Sequence, residues 1–436
     1  MESEDLRARL LAAIPDYMAE IAPGPLIRHH LEKNPAPPLP TGPKALLSLG
    51  KAAGAMTASF AEAFGIDPAA TLSILPEGYP PPPPSFPLFL GSHPLPDRRS
   101  FEAFLRIRDF TENLQDGMPL VVALSGGSSS LVVHPVPPVD LEDKVLISKR
   151  LMESGAPIET INALRIHLSA FKGGGLARMI ASRPSLTYIL SDIPGDGAPL
   201  VGSSPMFSIP RDGPGMLSEL EFWVKDGIPD PVRRLLLSLP PGPPPALPSH
   251  SLFGGVLASS KTLIATMKRV FLPIPPLSEL PLHILSEELC GEAREVGRVL
   301  ASQIRWQTAT HLKGGLWAAS GETTVTLSRS DPGKGGRTLE LALSLALSLQ
   351  KTSALILSLA SDGADGNSGL AGALLPSDIF HTKRLFHEGQ EALSRHDSGG
   401  FLERHGLGIK TGPSGTNLND LLMVVVLPSP TPRRTS

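Results

Sequence analysis

Cysteine is almost absent from this sequence. The single thiol, Cys290, has no partner for an internal disulfide, and no Cys-x-x-Cys or Cys/His cluster offers the ligands of a structural zinc site. The twelve histidines also lack metal-ligand spacing. We therefore expect a packed core without disulfide or zinc support, and this cysteine usage suits a reducing cytoplasm.

An excess of charge of one sign is missing as well. The chain has 39 Lys and Arg against 42 Asp and Glu, a formal net charge of -3, which gives no general attraction to nucleic acid or to an anionic membrane. The apolar run near the C-terminus, "LLMVVVL" at 421–427, is far shorter than the about 20 residues of a membrane-spanning helix. We expect no nucleic-acid partner and no membrane span, so chemistry on a small molecule is favoured.

Proline, in contrast, is abundant, at 47 of 436 residues. It clusters at 35–40, 80–84 and 239–248, and such clusters form connectors because proline has a fixed φ and no N–H group. A chain of this length predicts two domains, and the tract near mid-chain is the best candidate for their boundary. The predicted division is 1–240 for the first domain, 241–250 for a linker and 251–430 for the second domain.

The first half of the chain alternates short apolar runs with segments of helical spacing. The runs "ALLSLG" (45–50), "LVVALS" (120–125) and "LTYILSD" (186–192) are typical of buried parallel strands. Helical spacing follows the first run, which gives a βαβ pattern. We predict an α/β fold whose first domain contains a Rossmann-like, mostly parallel sheet with flanking helices.

The second half predicts a mixed sheet. "TTVTLS" (323–328) alternates threonine with apolar residues as a strand does, "LELALSLALSLQ" (339–350) is a long apolar helix, and "SALILSLASDG" (353–363) is another strand. The carboxyl ends of parallel strands are where ligands bind in open α/β sheets. The residues that follow each apolar run are therefore the candidates for binding and catalysis.

A loop of serine and glycine, "SGGSSS" at 125–130, interrupts two apolar runs. It lacks the second glycine of a Gly-x-Ser-x-Gly nucleophile elbow, because position 130 is serine. It also lacks the lysine of a phosphate-binding P-loop. Two interpretations remain: a plain turn, or a cradle of N–H and hydroxyl groups for phosphate or carboxylate oxygens.

Charged residues at other strand ends allow similar alternatives. Lys51 follows the first run at a helix start, where a cation opposes the helix dipole unless an anion is bound. Asp192 closes the third run, and Asp196 lies in a Pro-Gly turn; both suit turn chemistry, proton transfer or a magnesium ion. In "SDGADG" (361–366) the turn interpretation is stronger.

Together these stretches resemble the class II glycerate kinases of the MOFRL type. The matches occur in family order over nearly the whole chain. They include "LGKAAGAM" (49–56), "GSHPLPD" (91–97), "LSGGSSSLVVHP" (124–135), "SGAPIETINALRIHLSAFKGGGLA" (154–177), "LSDIPGD" (190–196), "SGETTVTL" (320–327), "GKGGRTLELAL" (333–343) and "TGPSGTNLNDL" (411–421).

The resemblance implies a fold and a reaction. Two α/β domains, the second a mixed-sheet MOFRL domain, would place the active site in the cleft between them, where ATP and Mg²⁺ would serve phosphorylation of D-glycerate at its 2-hydroxyl. It implies catalytic roles for Lys51, Asp192 and Arg337. The anion-binding candidates are Ser125, Gly126, Gly127, Ser128, Lys172, Gly173 and Gly174, and the metal candidates are Asp192, Asp196, Glu322 and Asp362.

Two alternatives stay open beside this interpretation. One is a hydroxypyruvate reductase, although no Gly-x-Gly-x-x-Gly follows a strand. The other is a sugar-acid or nucleotide-binding protein without turnover, since Ser320, Thr338 and Gly197 replace residues usual in the family. The expected partners are D-glycerate and ATP, and a homodimer is an open option.

Overall fold

The computed structural model describes residues 2–193, 197–225, 227–310, 314–327 and 332–428. Its helices are α1 Glu2–Glu20, α2 Pro23–Lys33, α3 Ala53–Phe64, α4 Arg98–Asn113, α5 Ser128–Leu131, α6 Leu141–Glu153, α7 Ile158–His167, α8 Gly175–Met179, α9 Gly213–Trp223, α10 Asp230–Ser238, α11 Ser260–Val270, α12 Ala293–Thr310, α13 Arg337–Ser348, α14 Lys383–Ser394 and α15 Ser398–Arg404. Its strands are β1 Ala45–Leu49, β2 Thr71–Pro76, β3 Leu88–Gly91, β4 Leu120–Ser125, β5 Ser185–Leu190, β6 Ser251–Ala258, β7 Leu282–Leu289, β8 Gly315–Gly321, β9 Ala354–Ala360, β10 Gly372–Pro376, β11 Gly408–Ile409 and β12 Asp420–Val426.

The chain divides into two compact units. The first unit is Leu26–Leu257, and the second unit combines Met1–Pro25 with Ala258–Ser436. The division therefore differs from the predicted one at two places. Helix α1 belongs to the second unit, because its apolar face is buried there against α11. The linker predicted at 241–250 lies inside the first unit, because β6, which follows it, joins the first sheet.

The first unit is built on a six-stranded sheet of order β3-β2-β1-β4-β5-β6. Strands β1 to β5 pair in parallel. Every residue of β1, β2, β4 and β5 is buried, as expected of short, nearly continuous apolar strands with both faces covered. The predicted Rossmann-like sheet is confirmed, and its order is that of dinucleotide-binding folds.

The second unit contains the predicted mixed sheet, of order β11-β10-β9-β12-β8-β7. Strands β9 to β12 and β8 pair antiparallel, whereas β7 and β8 are parallel. The apolar helix α13 has ten buried residues and packs on β9 and β10. Its core position explains why this helix is apolar on most of its surface.

One predicted strand is wrong over its described part. Residues 323–327 of "TTVTLS" contain only an isolated bridge between Thr324 and Glu292, and the strand of this region is β8, just before it. The segment is extended along the surface, where Thr324 and Thr326 are exposed and the Glu292 carboxylate accepts the Thr326 N–H. Alternating threonine thus reflects an extended surface segment without a neighbouring strand; Ser328 lies outside the described residues.

None of the helices that the structure describes is long and apolar enough to cross a membrane.

Candidate active site

The centre of the first sheet brings two predicted loops together. From β1 the chain continues to β2 and β3 on one side, whereas β4 and β5 lie on the other. In open α/β folds, ligands bind in a crevice at the carboxyl ends of the strands where the strand order reverses in this way. The residues that leave β1 and β4 at this point are Gly50 with Lys51, and the loop 125–130.

Hydrogen bonds fasten the two loops to each other. The Lys51 N–H donates to the Gly126 carbonyl at 2.9 Å. The Ser125 hydroxyl accepts from the Ala52 N–H at 3.1 Å and donates to the Leu49 carbonyl at 3.2 Å. The predicted residues Lys51, Ser125 and Gly126 are therefore neighbours, although they are more than seventy residues apart in sequence.

Gly127 leaves room for two side chains above the loop. It has a φ of 82°, a left-handed conformation that favours glycine. A Cβ there would lie 3.1 Å from Lys51 Cγ and 3.2 Å from His93 Cδ2, so both side chains pass directly over it. The Lys51 Nζ lies 5.7 Å from the centre of the Tyr79 ring. The sequence analysis selected Lys51 as a site residue, but it did not select His93.

The next residue, Ser128, offers a hydroxyl for binding. Its Oγ is buried and has no hydrogen-bond partner among the described residues. Buried hydroxyls in native proteins usually have partners, so an unfilled one at a ligand crevice is a candidate contact for a substrate oxygen.

His93 is kept neutral at this position. Burial lowers its pKa to about 4, and the charges of Lys51 and Arg165 act in the same direction. A histidine whose pKa is this low adds no cation near neutral pH. The positive charge of the crevice therefore comes from lysine and arginine.

Lys172 and the glycines after it support the loop from within the protein. Lys172 is 1% exposed, and its Nζ donates to the Ser129 carbonyl at 2.6 Å and to the Val132 carbonyl at 3.3 Å. The Gly173 and Gly174 N–H groups donate to the carbonyls of residues 203 and 204. These atoms thus have internal partners, and a direct contact of the three residues with an anion stays a prediction.

Two further cations were missed by sequence reasoning. Lys144 is buried, and its Nζ donates to the Arg165 and Leu168 carbonyls. Burial, with the charges of Arg165 and Arg211, lowers its pKa to about 7. Arg165 binds the Asn162 amide oxygen at 3.3 Å. A lysine on the apolar face of α6, where Ile147 and Leu151 are buried, was the available signal.

No carboxylate of the described chain forms an ion pair with these three cations, Lys144, Arg165 and Lys172. Carbonyl and amide dipoles face them, and burial lowers the pKa of Lys172 well below its usual value, as it lowers that of Lys144. Buried charge of one sign is costly unless a counter-charge is supplied. The neighbourhood of the serine loop is therefore suited to an anionic ligand.

A chain of polar side chains continues from the loop. The Ser129 and Ser203 hydroxyls are 2.9 Å apart, and Ser203 donates to the Asn162 amide oxygen at 3.5 Å. Ser203 has a φ of 60°, which is uncommon for a residue with a side chain and is typical of functional turns. This network links Arg165 to the serine loop through Asn162.

The acidic candidates of the first unit lie after β5. Asp192 follows that strand within two residues and is half-buried. Because β5 pairs with β4 in parallel, its carboxyl end lies at the same sheet edge as the serine loop. Asp196 lies outside the described residues.

Arg337 is held by two carboxylates in the second unit. Its guanidinium contacts Glu322 Oε1 at 2.8 Å and Asp420 Oδ2 at 2.7 Å. Burial opposes the charge, but the carboxylates of Asp420, Glu322 and Asp365 outweigh it and raise the pKa of Arg337. It is the first residue of α13, and it borders a cavity of about 480 Å³ with Glu322 and Asp365.

Asp365 lies at the start of the same helix. Its Oδ2 accepts the Leu339 N–H at 2.8 Å, and a Cβ on Gly336 would collide with its carboxylate. Burial and the Asp420 charge raise its pKa to about 7. The sequence motif "SDGADG" therefore contains a buried acid that caps α13, in addition to a turn.

Three of the predicted metal candidates, Asp192, Glu322 and Asp362, lie among the described residues. In the described ranges, no group of three or more His, Cys, Asp or Glu residues could hold a metal ion. Asp362 Oδ1 accepts the Ala364 N–H at 3.1 Å, a turn contact, and Glu322 is paired with Arg337. Any ion here would need ligands from a bound substrate.

Comparison with known proteins shows which family this chain resembles over most of its length. Residues 9–237 match the family described as a domain of unknown function, DUF4147, and residues 315–420 match the MOFRL family. A relative from Agrobacterium vitis, provisionally named hydroxypyruvate reductase, is 31% identical over 90% of this chain and 89% of its own. A D-glycerate 2-kinase from Thermotoga maritima is 30% identical over 78% of this chain and 80% of its own.

The chain belongs to the MOFRL glycerate kinase family. This membership confirms the resemblance seen in the sequence. The crystal structure of a glycerate kinase from Thermotoga maritima superposes with a TM-score of 0.80 and 27% identity, over 97% of this chain and 100% of that one. A mouse glycerate kinase is 31% identical over 77% of this chain and 72% of its own. The family fold, with two α/β units, is therefore that of this protein.

Proposed function

We propose that this glycerate kinase family member transfers a phosphoryl group from ATP to the 2-hydroxyl of D-glycerate, giving 2-phospho-D-glycerate and ADP. The observation that carries the proposal is the cluster of basic side chains beside the serine loop, Lys144, Arg165 and Lys172, which have no carboxylate partner among the described residues. A bound anion would favour the protonated forms of the two lysines. Both substrates are anions, and phosphoryl transfer depends mainly on positioning and positive charge.

The first unit would bind an oxyanion at the loop. Lys51 would supply charge at the strand end, and the buried Ser128 hydroxyl would donate a hydrogen bond. Lys172 would keep the loop in place by holding the Ser129 carbonyl. Donors fixed in advance stabilise developing charge at little cost in reorganisation.

Asp192 and Arg337 would act on the transferred group. Asp192, at the same sheet edge as the loop, would accept the proton of the 2-hydroxyl as it attacks. Arg337, oriented by Glu322 and Asp420, would neutralise phosphate oxygens. These are the roles that the resemblance implies for the two side chains.

Magnesium fits this chain only as an ion shared with the nucleotide. The described residues lack a cluster of three ligands, but Mg²⁺ commonly takes one or two carboxylates and completes its shell with phosphates and water. As the alternative to accepting the proton, Asp192 would hold this ion at the sheet edge beside the serine loop. A contact of the ion with Glu322 stays a prediction. The ion would neutralise phosphate charge.

Turnover in the presence of D-glycerate, ATP and Mg²⁺ tests the proposal. We expect ADP formation that depends on D-glycerate, and a 2-phosphoglycerate signal in phosphorus NMR. Lys51→Ala and Asp192→Asn should each lower kcat/KM by at least about 100-fold, because each removes charge or proton transfer from the reacting centre. Lys149→Ala, at an exposed position of α6, is the matched control and should retain activity.

Several results would overturn this function. They are no turnover with D-glycerate, ADP formation that ignores D-glycerate, and full activity in both variants. A 3-phosphoglycerate product would keep the kinase but contradict the position of transfer.

A reductase is the second candidate, because the strand order is that of dinucleotide-binding folds and relatives carry that provisional name. The turn after β1 begins "GKAAG" (50–54). It does not have the Gly-x-Gly-x-x-Gly spacing of the dinucleotide fingerprint, because alanine stands at the second and third glycine positions. Consumption of NADH with hydroxypyruvate would favour this candidate over the kinase.

Two further predictions belong to the proposed kinase function. They are a cytoplasmic location, where ATP is available, and a homodimer.

A further inference from the structure

The first unit contains a second cationic pocket, formed by residues that none of the predicted functions uses. Its volume is about 360 Å³, at the low end of the range of small-molecule sites. Two arginines, Arg178 of α8 and Arg211, face the proline-rich tract. From this tract the pocket is lined by Leu239, Pro240, Gly242, Pro243 and Pro245.

Each arginine has one donor in use and another one unfilled. Arg178 Nη2 donates to the Gly173 carbonyl at 3.1 Å, and Arg211 Nη2 donates to the Ser169 carbonyl at 3.0 Å. Arg178 Nη1 and Arg211 Nε are buried without a hydrogen-bond partner among the described residues. A buried hydrogen-bond donor without a partner lowers the stability of the folded protein, and the loss is larger when the donor is charged.

The pocket contains no carboxylate to compensate these charges. Its lining has no acidic residue, and neither arginine forms an ion pair within the described ranges. Burial lowers the pKa of Arg211, and the charge of Arg178 adds to that effect. The two guanidinium groups therefore repel each other in a pocket that lacks a counter-ion.

The opposite wall of the pocket, formed by the proline-rich tract, offers no free hydrogen-bond donor. Proline has no N–H group, and the Gly242 N–H is already used by the Arg211 carbonyl at 3.2 Å. That bond fixes the tract beside Arg211. The wall is thus a stiff apolar surface, and the polar contacts of a ligand would come from the two arginines.

We propose that Arg178 and Arg211 form a binding site for a small phosphate dianion, either inorganic phosphate or a phosphate monoester. Two guanidinium groups present forked donors whose geometry matches phosphate oxygens. The dianion would offset the two charges and remove the repulsion, and its oxygens would accept from the guanidinium groups that line the pocket. The small volume limits the ligand to one phosphate group with a short substituent.

Calorimetric titration of inorganic phosphate into the full chain tests this site. Lys51→Ala serves as the background, so that binding at the serine loop is weakened. In that background, Arg178→Gln with Arg211→Gln should weaken phosphate binding by about tenfold or more, because two charged hydrogen bonds are lost. Arg234→Gln, an exposed position of α10, removes one charge from the same unit and should have little effect.

A second pair of variants leaves both arginines intact. Pro243→Glu places a carboxylate on the pocket wall and should abolish phosphate binding, whereas Pro244→Glu, at a neighbouring exposed position outside the lining, should not. Circular dichroism without phosphate checks that each variant is folded. Equal phosphate affinity in the arginine variants and their background, or no measurable binding in the background, would overturn the site.

Titration with 2-phosphoglycerate distinguishes the two sources of the phosphate. Tighter binding than inorganic phosphate, lost in the arginine variants, supports a phosphate monoester. Equal binding supports free phosphate. If the variants lose affinity for D-glycerate but not for either phosphate compound, the proposed ligand class is wrong.

Discussion

At the scale of single residues, two buried lysines act on backbone carbonyls. Lys144 donates to the carbonyls at the end of α7, and Lys172 donates to those at the end of α5. A cation near a helix C-terminus is favourable because the carbonyl dipoles point towards it. Both lysines thus support the serine loop and its surroundings, and a bound anion would favour their protonated forms.

Lys144 should make stability depend on pH. Its pKa is about 7 in the folded chain and 10.5 in the unfolded reference. Between these values only the unfolded chain holds the extra proton, so the free energy of unfolding rises with pH in this window. Relative to Lys144→Met, the wild-type chain should gain roughly 1–2 kcal/mol from pH 7 to pH 9, as measured by urea unfolding.

The matched control for this change is Lys149→Met on the same helix, whose side chain is 61% exposed. Its unfolding free energy should follow the wild-type pH profile. Parallel profiles for Lys144→Met and wild type would contradict the lowered pKa.

Individual site residues were predictable to different degrees. Lys51, Ser125 and Gly126 follow strand ends, and a strand end can be recognised from its apolar run. His93 and Arg165 carry no such local signal, because their importance depends on what lies across the crevice. The direction of the Lys172 side chain, towards carbonyls inside the protein, also follows from packing.

At the scale of elements, the start of α13 combines a cap and the predicted site residue Arg337. Asp365 caps the helix through the Leu339 N–H, while Arg337 begins it. The cap keeps the first turn ordered, and the first turn orients Arg337 towards Glu322 and Asp420. Asp365 therefore helps to orient Arg337 indirectly, by ordering the first turn of α13.

Removing the cap should destabilise this helix. Asp365→Ala should cost about 1–2 kcal/mol of stability, and Asp365→Asn should cost less because the amide oxygen still accepts a hydrogen bond. The folded pKa of about 7 lies above the unfolded 3.8, so wild-type stability falls as pH rises between these values. The stability of Asp365→Asn relative to wild type should therefore be higher at pH 8 than at pH 4, as measured by thermal unfolding.

An exposed carboxylate provides the control. Glu391→Gln, 68% exposed on α14, should show no such change with pH. If the difference between Asp365→Asn and wild type is the same at both pH values, Asp365 titrates normally in the folded protein.

Elements were predicted best where burial is complete. The strands β1, β4, β5 and β9 coincide with continuous apolar runs because both of their faces are covered. "TTVTLS" has the alternation of a strand, but its described residues form only one isolated bridge. Alternation reports an extended backbone with one buried face, and it does not show whether a neighbouring strand is present.

At the scale of the whole molecule, the N-terminal helix belongs to the unit built mainly from the C-terminal half. Leu6, Leu10 and Ile14 of α1 are at most 3% exposed, and the Tyr17 hydroxyl donates to the Leu263 carbonyl. The helix is therefore part of a core whose other members follow more than 230 residues later.

Truncation of one buried side chain in α1 tests whether this helix is part of the core of the second unit. Leu10→Ala should cost about 2–5 kcal/mol because it leaves a cavity. Leu11→Ala, at the adjacent, partly exposed position, is the control and should cost clearly less. Denaturant unfolding followed by tryptophan fluorescence measures both, and equal small losses would contradict a core role for α1.

The α/β class, the buried strands, the loops at their carboxyl ends and the family can be inferred from the amino-acid sequence alone. These features are local, or they are ordered along the chain, so periodicity and motif order reveal them. The folded chain was needed to show that β1 lies beside β4, that α1 joins the second unit, and that Lys144, Arg165 and Lys172 lie near the serine loop without a carboxylate partner in the described chain. The reason is physical: strand order and the pairing of charges depend on contacts between distant segments, whose energies no short stretch of sequence contains.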